Sequence, residues 1–412
     1  MRNRRVWKKL LGLDRAVIED AFIEQDALIV KVRPKARERS RCPHCRRRCP
    51  GYDQGDGPKR WRALDFATTL VYLEASAPRV ACERHGVVVA AVPWARHRAN
   101  FTVAFEDQVA WLAVNTSKKA VAALMRINWR SVGWICERVA LEAEAGRDLL
   151  SGLKRIGIDE ISNKRGQRYI TVVVDHDTGR LVWASPGRDK ATVCRFLDAL
   201  GEERCRQIEL VSCDMAEWIR APIAERLPQA VRCVDPFHVI KLAGEALDEV
   251  RREVWREARR QGQAQLAKEV KGSRFALAKN PENLTERQEA KLARIQQLNK
   301  PLYRGYLLSQ QLRLIYRVSP KQAMKLLDQW LAWARRCRLP SFAKLARTIT
   351  AQRAGIEAAV VHGLSNARVE KINTQLRLIT RRAFGFHTPE ALIALAKLTL
   401  SGLCPPLPAE GA

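Results

Sequence analysis

The spacing of hydrophobic residues changes several times along this chain of 412 residues, and each change predicts a different kind of element. From Ala16 to Pro34 apolar and polar positions alternate, as in a pair of short strands. From Ala36 to Pro93 turn residues and cysteines separate short β-like runs. From Phe105 to Ala145 apolar residues recur at helical spacing. The first third of the chain is therefore predicted to be β-rich and then helical.

The middle of the chain alternates between strand-like and helix-like segments. Between Ile156 and Asp235 the strand-like runs are RYITVVVD, LVWASP, IELVSCD and AVRCVD. Helical spacing appears between them, from about Ala191 to Leu200 and from about Ala216 to Arg226. Such alternation predicts an α/β sheet domain.

The rest of the chain is predicted to be helical. From Ile240 to about Val361 the sequence is strongly charged and carries no strand signal, with breaks at Pro301 and Pro340. The last two helices are predicted from about Ala367 to Arg382 and from Pro389 to Leu400, and the tail beyond them is expected to fray.

The composition adds a strong positive charge to this picture. Lys and Arg number 73 against 44 Asp and Glu, which gives a net charge of +29. A field of this size attracts polyanions, chiefly nucleic acid or an anionic membrane surface; the alternative is a protein that is merely basic. No apolar run approaches the roughly 20 residues that a membrane span needs. The N-terminus is basic but lacks the pattern of a signal peptide.

The eleven cysteines suit a reducing cytosol, with clustered cysteines binding metal. Cys42-x2-Cys45 and Cys82-x2-His85 form two chelating pairs separated by 36 residues, a gap that a hairpin must fill. Four such ligands suit tetrahedral zinc, and a site closed by four protein ligands is structural. His44 and Cys49 are spare candidates, and unmetallated thiols are the alternative.

The helical segment after Thr116 has the pattern of a helix-turn-helix. A short helix starts after Thr116 or Ser117, the turn RIN follows, and a longer helix starts at Trp129 with Asn128 as its N-cap. Val132, Ile135 and Val139 form its inner face. The predicted DNA-binding residues of this motif are Lys118, Lys119, Arg126, Arg130, Ser131, Trp134 and Arg138. The alternative is an ordinary pair of helices with solvated charges.

Three acidic residues occupy informative positions. Asp159 and Asp214 end apolar strand-like runs, and Glu370 lies on the helix predicted from Ala367. An apolar stripe on that helix consists of Val369, Ile372, Leu376 and Ile379. Its other face is predicted to carry Glu370, Asn373, Thr374, Arg377 and Arg381.

Two strand-end aspartates and a helical glutamate at one rim of a sheet can hold two divalent metal ions for phosphoryl transfer. Mg²⁺ suits such oxygen ligands, and Mn²⁺ is the alternative. The basic residues expected to hold the DNA backbone beside them are Arg368, Lys371, Arg377, Arg381 and Arg382.

Each acid also has a plainer interpretation. Asp159 suits a strand-end turn, Asp214 a helix N-cap and Glu370 a salt bridge. Glu160 is the rival of Asp159, although neighbours on a strand face opposite ways and only one enters a site. Asp235, which ends another apolar run, is the rival of Asp214.

At these residues the chain resembles bacterial insertion-sequence transposases of the DDE class, in particular the ISL3 family. The resemblance covers nearly the whole chain through RCPHC…CERHG, the helix-turn-helix, GIDE, GRDKATV, SCDMAEWI, DPFHVIKLAGEALDEVRR and NARVEKINTQLRLITRRAFGF. It implies an RNase H-like core with Asp159, Asp214 and Glu370 as its acids and a helical insertion before the third. Related transposases also carry the signature here formed by Asp235 and His238, to which no role is assigned. His85 departs from the expected cysteine.

The expected fold class is thus multidomain α/β: an RNase H-like catalytic core interrupted by an all-α insertion and preceded by a zinc-ribbon-like module and a helix-turn-helix. The expected domains are a zinc-binding module (1–95), a helix-turn-helix (96–148), the core in two parts (149–240 and 362–405), the insertion (241–361) and a frayed tail (406–412). The fourth core strand is expected beside the first, which favours Asp214 over Asp235.

The expected function is a cytoplasmic, nucleoid-associated DNA transposase. It would bind terminal inverted repeats, cleave DNA with Mg²⁺ or Mn²⁺, join the freed end to target DNA and act as a homodimer on double-stranded DNA, with a structural zinc ion and no membrane partner. Trp330 and Trp333 in the insertion are candidates for dimer or DNA contacts, with a core role as the alternative. The rival functions are a DNA-binding regulator with an inactive core and a nuclease for RNA–DNA hybrids or junctions.

Overall fold

The structure is a computed structural model that describes residues 4–164 and 168–407. Residues 408–412 of the predicted frayed tail lie outside the described residues. The chain divides into two compact units, the first formed by Met1–Asp148 with Leu378–Ala412 and the second by Leu149–Arg377. No helix in the described ranges is both long and apolar enough to cross a membrane.

The first unit opens with a short helix and two small sheets. The helix is α1 (Arg4–Leu10), and the strands are β1 (Ala16–Glu24), β2 (Ala27–Pro34), β3 (Gly51–Asp53), β4 (Pro58–Phe66), β5 (Thr69–Ser76), β6 (Arg79–Cys82) and β7 (Gly86–Val89). One sheet has the order β1-β2-β5-β4 and the other β3-β6-β7. The predicted first pair of strands is confirmed as an antiparallel hairpin. Val30, Trp61 and Leu73, on strands of the larger sheet, are buried in one hydrophobic core.

Four helices complete the first unit. They are α2 (Val103–Asn115), α3 (Lys118–Leu124), α4 (Trp129–Ala145) and, from the end of the chain, α17 (Pro389–Leu400). Both α2 and α17 pack against α4. Ser117 and Asn128 accept backbone N–H groups at the starts of α3 and α4, so both predicted helix starts are confirmed.

The second unit contains a five-stranded sheet. Its strands are β8 (Arg155–Lys164), β9 (Arg168–Asp175), β10 (Leu181–Pro186), β11 (Leu210–Cys213) and β12 (Val231–Val234), in the order β10-β9-β8-β11-β12. The first three are antiparallel, whereas β11 runs parallel to both β8 and β12. The fourth strand of the sheet therefore lies beside the first, as expected. The intervening helices are α5 (Lys190–Leu200), α6 (Glu202–Cys205) and α7 (Glu217–Arg226).

The predicted helical segment follows β12 and contains no strand among its residues, all of which are described. Its helices are α8 (Pro236–Arg260), α9 (Ala264–Gly272), α10 (Arg274–Ala278), α11 (Glu286–Leu298), α12 (Lys300–Leu314), α13 (Pro320–Arg336), α14 (Pro340–Ala351) and α15 (Arg353–His362). Pro301 and Pro340 lie in the first turns of α12 and α14, where proline is tolerated. Trp330 is fully buried and donates to Leu308 O at 2.8 Å, so it is a core residue. Trp333 packs, partly buried, against the same core.

Helix α16 (Ala367–Arg382) starts in the second unit and its last five residues belong to the first. Its predicted apolar stripe is confirmed, because all four stripe residues are buried. The prediction that Asn373 shares the polar face is wrong in one respect: its side chain is 1% exposed. A hydrogen bond to a strand carboxylate compensates for this burial, and a helical pattern alone does not reveal it.

Candidate functional site

The two chelating pairs, Cys42 with Cys45 and Cys82 with His85, converge beside the small sheet of the first unit. Cys42, Cys45, Cys82 and His85 place their ligand atoms within 4.8 Å of one another. Cys45 Sγ lies 3.7 Å from Cys82 Sγ, and His85 Nδ1 lies 3.5 Å from the sulfurs of Cys42 and Cys82. Cys82 ends β6 and His85 follows in the tight turn before β7, so the hairpin carries one whole pair.

These separations fit zinc. Tetrahedral zinc with bonds of about 2.3 Å to sulfur and about 2.0–2.1 Å to nitrogen places two sulfurs about 3.8 Å apart and a sulfur about 3.5 Å from a nitrogen. Because the four ligands are all protein atoms, the site suits a structural ion. The hydrogen bond with His85 lowers the pKa of Cys82 to about 6, which favours the thiolate that metal binding requires.

The two spare candidates lie beside this set. The ring of His44 packs 5.0 Å from that of His85. The thiol of Cys49 donates to Arg47 O at 3.5 Å. Neither belongs to the group of four whose ligand atoms all lie within 4.8 Å of one another.

Helices α3 and α4 form the predicted helix-turn-helix, with Arg126 in a left-handed turn between them. Val132, Ile135 and Val139 are buried, as the inner face requires. Arg130 and Trp134 are exposed, and 60% of Trp134 is accessible to solvent. Lys119 is also exposed, and Ser131 is half-buried.

Three of the predicted DNA-binding residues of the motif contact residues that lie outside the motif. Arg126 pairs with Asp65, with its Nε 3.0 Å from the carboxylate. Arg138 Nε donates to Glu106 Oε1 at 3.0 Å, and Glu106 is fully buried. The ammonium of Lys118 lies 4.4 Å from the centre of the Phe386 ring. Arg126 and Arg138 thus stabilise the fold of the first unit, whatever else they contact.

The basic residues of α16 divide in a similar way. Lys371, Arg377 and Arg381 are exposed. Arg368 is exposed and donates to Asp177 O at 3.0 Å. Arg382 is half-buried and donates to Val114 O at 2.6 Å, so it caps the end of α2.

Asp159 lies inside β8, so the prediction that it ends its strand is wrong: the pairing with β9 carries the strand on to Lys164. Its side chain is almost fully buried. Asn373 Nδ2 donates to Asp159 Oδ2 at 2.9 Å, and Glu160 N donates to Asp159 Oδ1. Burial raises the pKa of Asp159 to about 7, and the negative charge of Glu370 contributes to this rise. Asp159 and Glu370 therefore act on one another electrostatically.

Glu160 and Asp214 occupy the neighbouring part of the sheet. Glu160 forms an ion pair with Arg188 at 2.9 Å, and burial raises its pKa with a further contribution from Asp214. Asp214 follows β11, is half-buried and accepts from Ala216 N at 2.8 Å. Glu370 lies in the first turn of α16, 4.0 Å from Arg377.

Asp235 differs from Asp214 because both its oxygens have partners. Its Oδ1 accepts from Asn366 N at 3.1 Å, and its Oδ2 lies 2.9 Å from His238 Nδ1. This hydrogen bond raises the pKa of His238. Asp235 therefore holds the start of α16 and His238 in place.

The side-chain oxygens of Asp159, Asp214 and Glu370 do not all lie within 4.8 Å of one another. In the described ranges, the cysteine–histidine cluster is the one group of cysteine, histidine and acidic side chains whose ligand atoms all lie within 4.8 Å of one another. Two buried oxygens lack a hydrogen-bond donor among the described residues: Asn373 Oδ1, on the amide that contacts Asp159, and Glu160 Oε2, on the next residue of β8. Unpaired buried acceptors beside several carboxylates suit an oxygen-liganded cation.

The sequence reasoning missed Asn373 as a partner of Asp159 and Asn366 as a partner of Asp235. It also missed His176, whose Nε2 lies 2.6 Å from Ser212 Oγ beneath the acids. The positions of the two asparagines, four residues before Glu370 and three after it, were visible in the sequence. Their burial was not.

Comparisons with known proteins find transposases that match nearly the whole chain. The chain is 51% identical, over 99% of its length and 98% of theirs, to the transposase for insertion sequence element IS1557 from two strains of Mycobacterium tuberculosis (CDC 1551 / Oshkosh and ATCC 25618 / H37Rv). It is 27% identical to the transposase for IS1001 of Bordetella parapertussis, over 95% of this chain and 96% of that one.

A zinc cluster, a helix-turn-helix and an acidic α/β sheet in one basic chain are typical of a DNA-recombining protein. The matches to family models make this specific: a transposase model covers residues 156–396, a helix-turn-helix domain of transposase family ISL3 covers 90–140, and a zinc-finger of transposase IS204/IS1001/IS1096/IS1165 covers 38–85. The chain belongs to the ISL3 family of insertion-sequence transposases.

Proposed function

We propose that this transposase cleaves and joins DNA by two-metal phosphoryl transfer in an RNase H-like core, with Asp159, Asp214 and Glu370 as the catalytic acids. The single observation that carries the proposal is where these acids lie on the sheet. Asp159 lies inside β8, two residues beyond the last β8 residue that pairs with β11, and Asp214 directly follows β11. Glu370 lies on the helix whose Asn373 contacts Asp159. The strand order with β11 between β8 and β12 supports an RNase H-like core.

The choice of Asp214 over Asp235 rests on their partners. Asp235 uses both oxygens within the protein, whereas Asp214 uses one for Ala216 N. Asp235 and His238 are therefore proposed as auxiliary residues. Glu160, held by Arg188, is proposed to adjust the charge beside Asp214.

The unpaired oxygen of Asn373, on the amide that contacts Asp159, indicates that this site fits a cation, which Asp159, Asp214 and Glu370 would hold. When bound, Mg²⁺ or Mn²⁺ supplies activation of a water or 3′-hydroxyl and stabilisation of the leaving oxygen. The protein orients the acids through Asn373 and the backbone N–H groups of Glu160 and Ala216. The exposed Lys371, Arg377 and Arg381 hold the DNA backbone beside them, and Arg368 adds a further contact.

DNA recognition is assigned to the first unit. The exposed Lys119, Arg130 and Trp134, with Ser131, form the proposed contact surface for terminal inverted repeats. Lys118 contributes from the edge, whereas Arg126 and Arg138 act mainly by holding α3 and α4. Cleavage at two element ends requires two active sites, so we propose a homodimer on double-stranded DNA.

The test uses purified protein and labelled DNA carrying the sequences that flank this coding region. With Mg²⁺, the wild type should cut at the element ends, and Asp159→Asn, Asp214→Asn and Glu370→Gln should each abolish cutting while retaining binding. Glu217→Gln is the matched control, because this exposed acid of the second unit forms its ion pair with Arg220. Full activity in Asp214→Asn would refute its assignment, and binding without cutting by the wild type would favour a DNA-binding regulator.

A further inference from the structure

A large cleft in the first unit lies between the helix-turn-helix and the turn that joins α16 to α17. Its volume is about 1150 Å³, slightly above the roughly 300–1,000 Å³ typical of ligand sites. Its walls include Lys118, Trp129, Arg130, Trp134, Phe384 and Phe386. The cleft therefore joins the predicted base-reading end of α4 to a segment far away in sequence.

Aromatic rings with exposed faces are the first distinctive feature of this cleft. Phe384 is 91% exposed and Trp134 60% exposed, although both side chains are strongly apolar. Trp129 is 44% exposed, and its ring stacks on that of His387 at 5.4 Å. Exposed rings gathered at one cleft, and not scattered singly, indicate a binding surface.

The backbone holds Phe384 in this exposed position. Its φ of 54° lies in the left-handed region, which a bulky residue rarely adopts, and Gly385 follows with a φ of 96°. Phe386, two positions later, is buried beneath Lys118. The turn is thus anchored by one phenylalanine while it presents the other to solvent.

The charge of the cleft identifies the kind of ligand. Its lining contains the cations Lys118, Lys119, Arg130 and Arg382 and only two acids, Glu137 and Glu390. A ligand that offers both a flat ring and a negative group complements such a surface. A nucleotide has both, and base–aromatic stacking is the usual way in which proteins bind bases outside a duplex.

We infer that this cleft takes an unstacked nucleobase of the bound DNA, with Trp134 and Phe384 as the stacking residues. The inference rests on the proposed DNA binding and adds to it a preference for DNA in which a base has left the helix. Cations at the rim hold the neighbouring phosphates, and the recognition helix and the turn after α16 act as one binding surface.

The test compares two 25-base-pair duplexes that differ only in one extra, unpaired 2-aminopurine. Binding of the full chain is measured by fluorescence anisotropy, and stacking by quenching of 2-aminopurine emission. The wild type should bind the bulged duplex about tenfold more tightly and quench it. Trp134→Ala, Phe384→Ala and Phe384→Leu should each remove most of this preference, since leucine restores an apolar side chain but not a ring.

Phe275→Ala is the matched control, because Phe275 is also exposed, at 69%, but lies in the helical segment of the second unit. It should keep the preference and the quenching. Equal affinity of the wild type for both duplexes, without quenching, would overturn the inference while leaving the proposed DNA binding intact. Failure to bind either duplex would overturn the DNA-binding role and this inference together. Because Phe384 is exposed, its variants should keep the thermal midpoint of the wild type.

Discussion

Asn373 Nδ2 lies 2.9 Å from Asp159 Oδ2, and this hydrogen bond links α16 to β8 across 214 positions of the chain. The oxygen of the same amide, Asn373 Oδ1, is buried and accepts no hydrogen bond from the described residues. Asn373 therefore orients one proposed catalytic carboxylate directly and lies one helical turn after another, Glu370. We regard it as a positioning residue.

Replacement of Asn373 by Ala should raise the Mg²⁺ concentration needed for half-maximal DNA cleavage by roughly 10- to 100-fold, the usual cost of losing a residue that orients a metal ligand. Cleavage at saturating Mg²⁺ should recover in part. Titration of Mg²⁺ in the cleavage assay measures this shift. Thr374→Ala, at the next and exposed position, is the control and should leave the titration unchanged. An unaltered Mg²⁺ requirement in Asn373→Ala would contradict the positioning role.

Cys82→Ser should release zinc and destabilise the β3-β6-β7 sheet, because Cys82 supplies one of four ligands. Cys49→Ser should keep the metal, since Cys49 donates to a backbone carbonyl outside the ligand set. Metal analysis of both purified variants, with about one zinc per wild-type chain as the reference, makes the comparison. If Cys49→Ser lost zinc and Cys82→Ser retained it, Cys49 and not Cys82 would be the zinc ligand.

Two arginines on α4 should respond differently to truncation. Arg138→Ala removes a partner of the buried Glu106 and should lower the free energy of unfolding by roughly 1–3 kcal/mol. Arg130→Ala should leave stability nearly unchanged and reduce the salt dependence of DNA binding by about one phosphate contact. Thermal unfolding and binding at several salt concentrations separate the two effects. An equal loss of unfolding free energy in both variants would contradict the assignment of Arg138 to fold stability and of Arg130 to DNA binding.

Gly157→Ala should destabilise the second unit, because a Cβ there would lie 2.4 Å from Val369 Cγ2 and 2.7 Å from His176 Nε2. Overpacking of this kind costs roughly 1–3 kcal/mol. Gly244→Ala on α8 is the control: its Cβ would meet no atom within 4 Å, and alanine should stabilise the helix by about 0.5–1 kcal/mol. Chemical denaturation gives both values. A neutral Gly157→Ala would mean that α16 packs less closely on β8 than the structure places it.

The second unit should lose stability in mild acid because of His176. Burial lowers the pKa of His176 to about 4, whereas the unfolded chain has a pKa near 6.5. The unfolded state therefore binds more protons between these values, so this contribution is fully present above pH 6.5 and is lost as the pH falls towards 4. The expected loss is roughly 3 kcal/mol at about 1.4 kcal/mol per pH unit.

Denaturation of the wild type and of His176→Gln at several pH values measures this contribution. The charged groups around His176 are Arg368, Asp175, Arg155 and Asp177, and they remain in both proteins. The variant should show a flatter dependence of unfolding free energy on pH. Identical slopes would assign the acid sensitivity to other groups.

The sequence by itself determined the local elements of this protein and much of its chemistry. Helix starts at Ser117 and Asn128 follow from side chains that cap their own neighbours, and the stripe from Val369 to Ile379 follows from helical geometry. Short-range capping and periodicity depend only on residues a few positions apart, so a linear pattern contains them. Each chelating pair, Cys42 with Cys45 and Cys82 with His85, could be recognised for the same reason, because its two ligands lie three positions apart.

Tertiary structure decided which side chains meet over long separations. Burial of Asn373 against Asp159, the use of both Asp235 oxygens, and the pairing of Arg138 with Glu106 all depend on how β8, α16 and α4 pack. A polar residue type that is solvated on one packed helix can be buried on another. Whether it finds a compensating partner is set by elements up to 214 positions away. The pattern of α16 alone therefore placed Asn373 on the polar face, and only the folded chain placed it at a carboxylate.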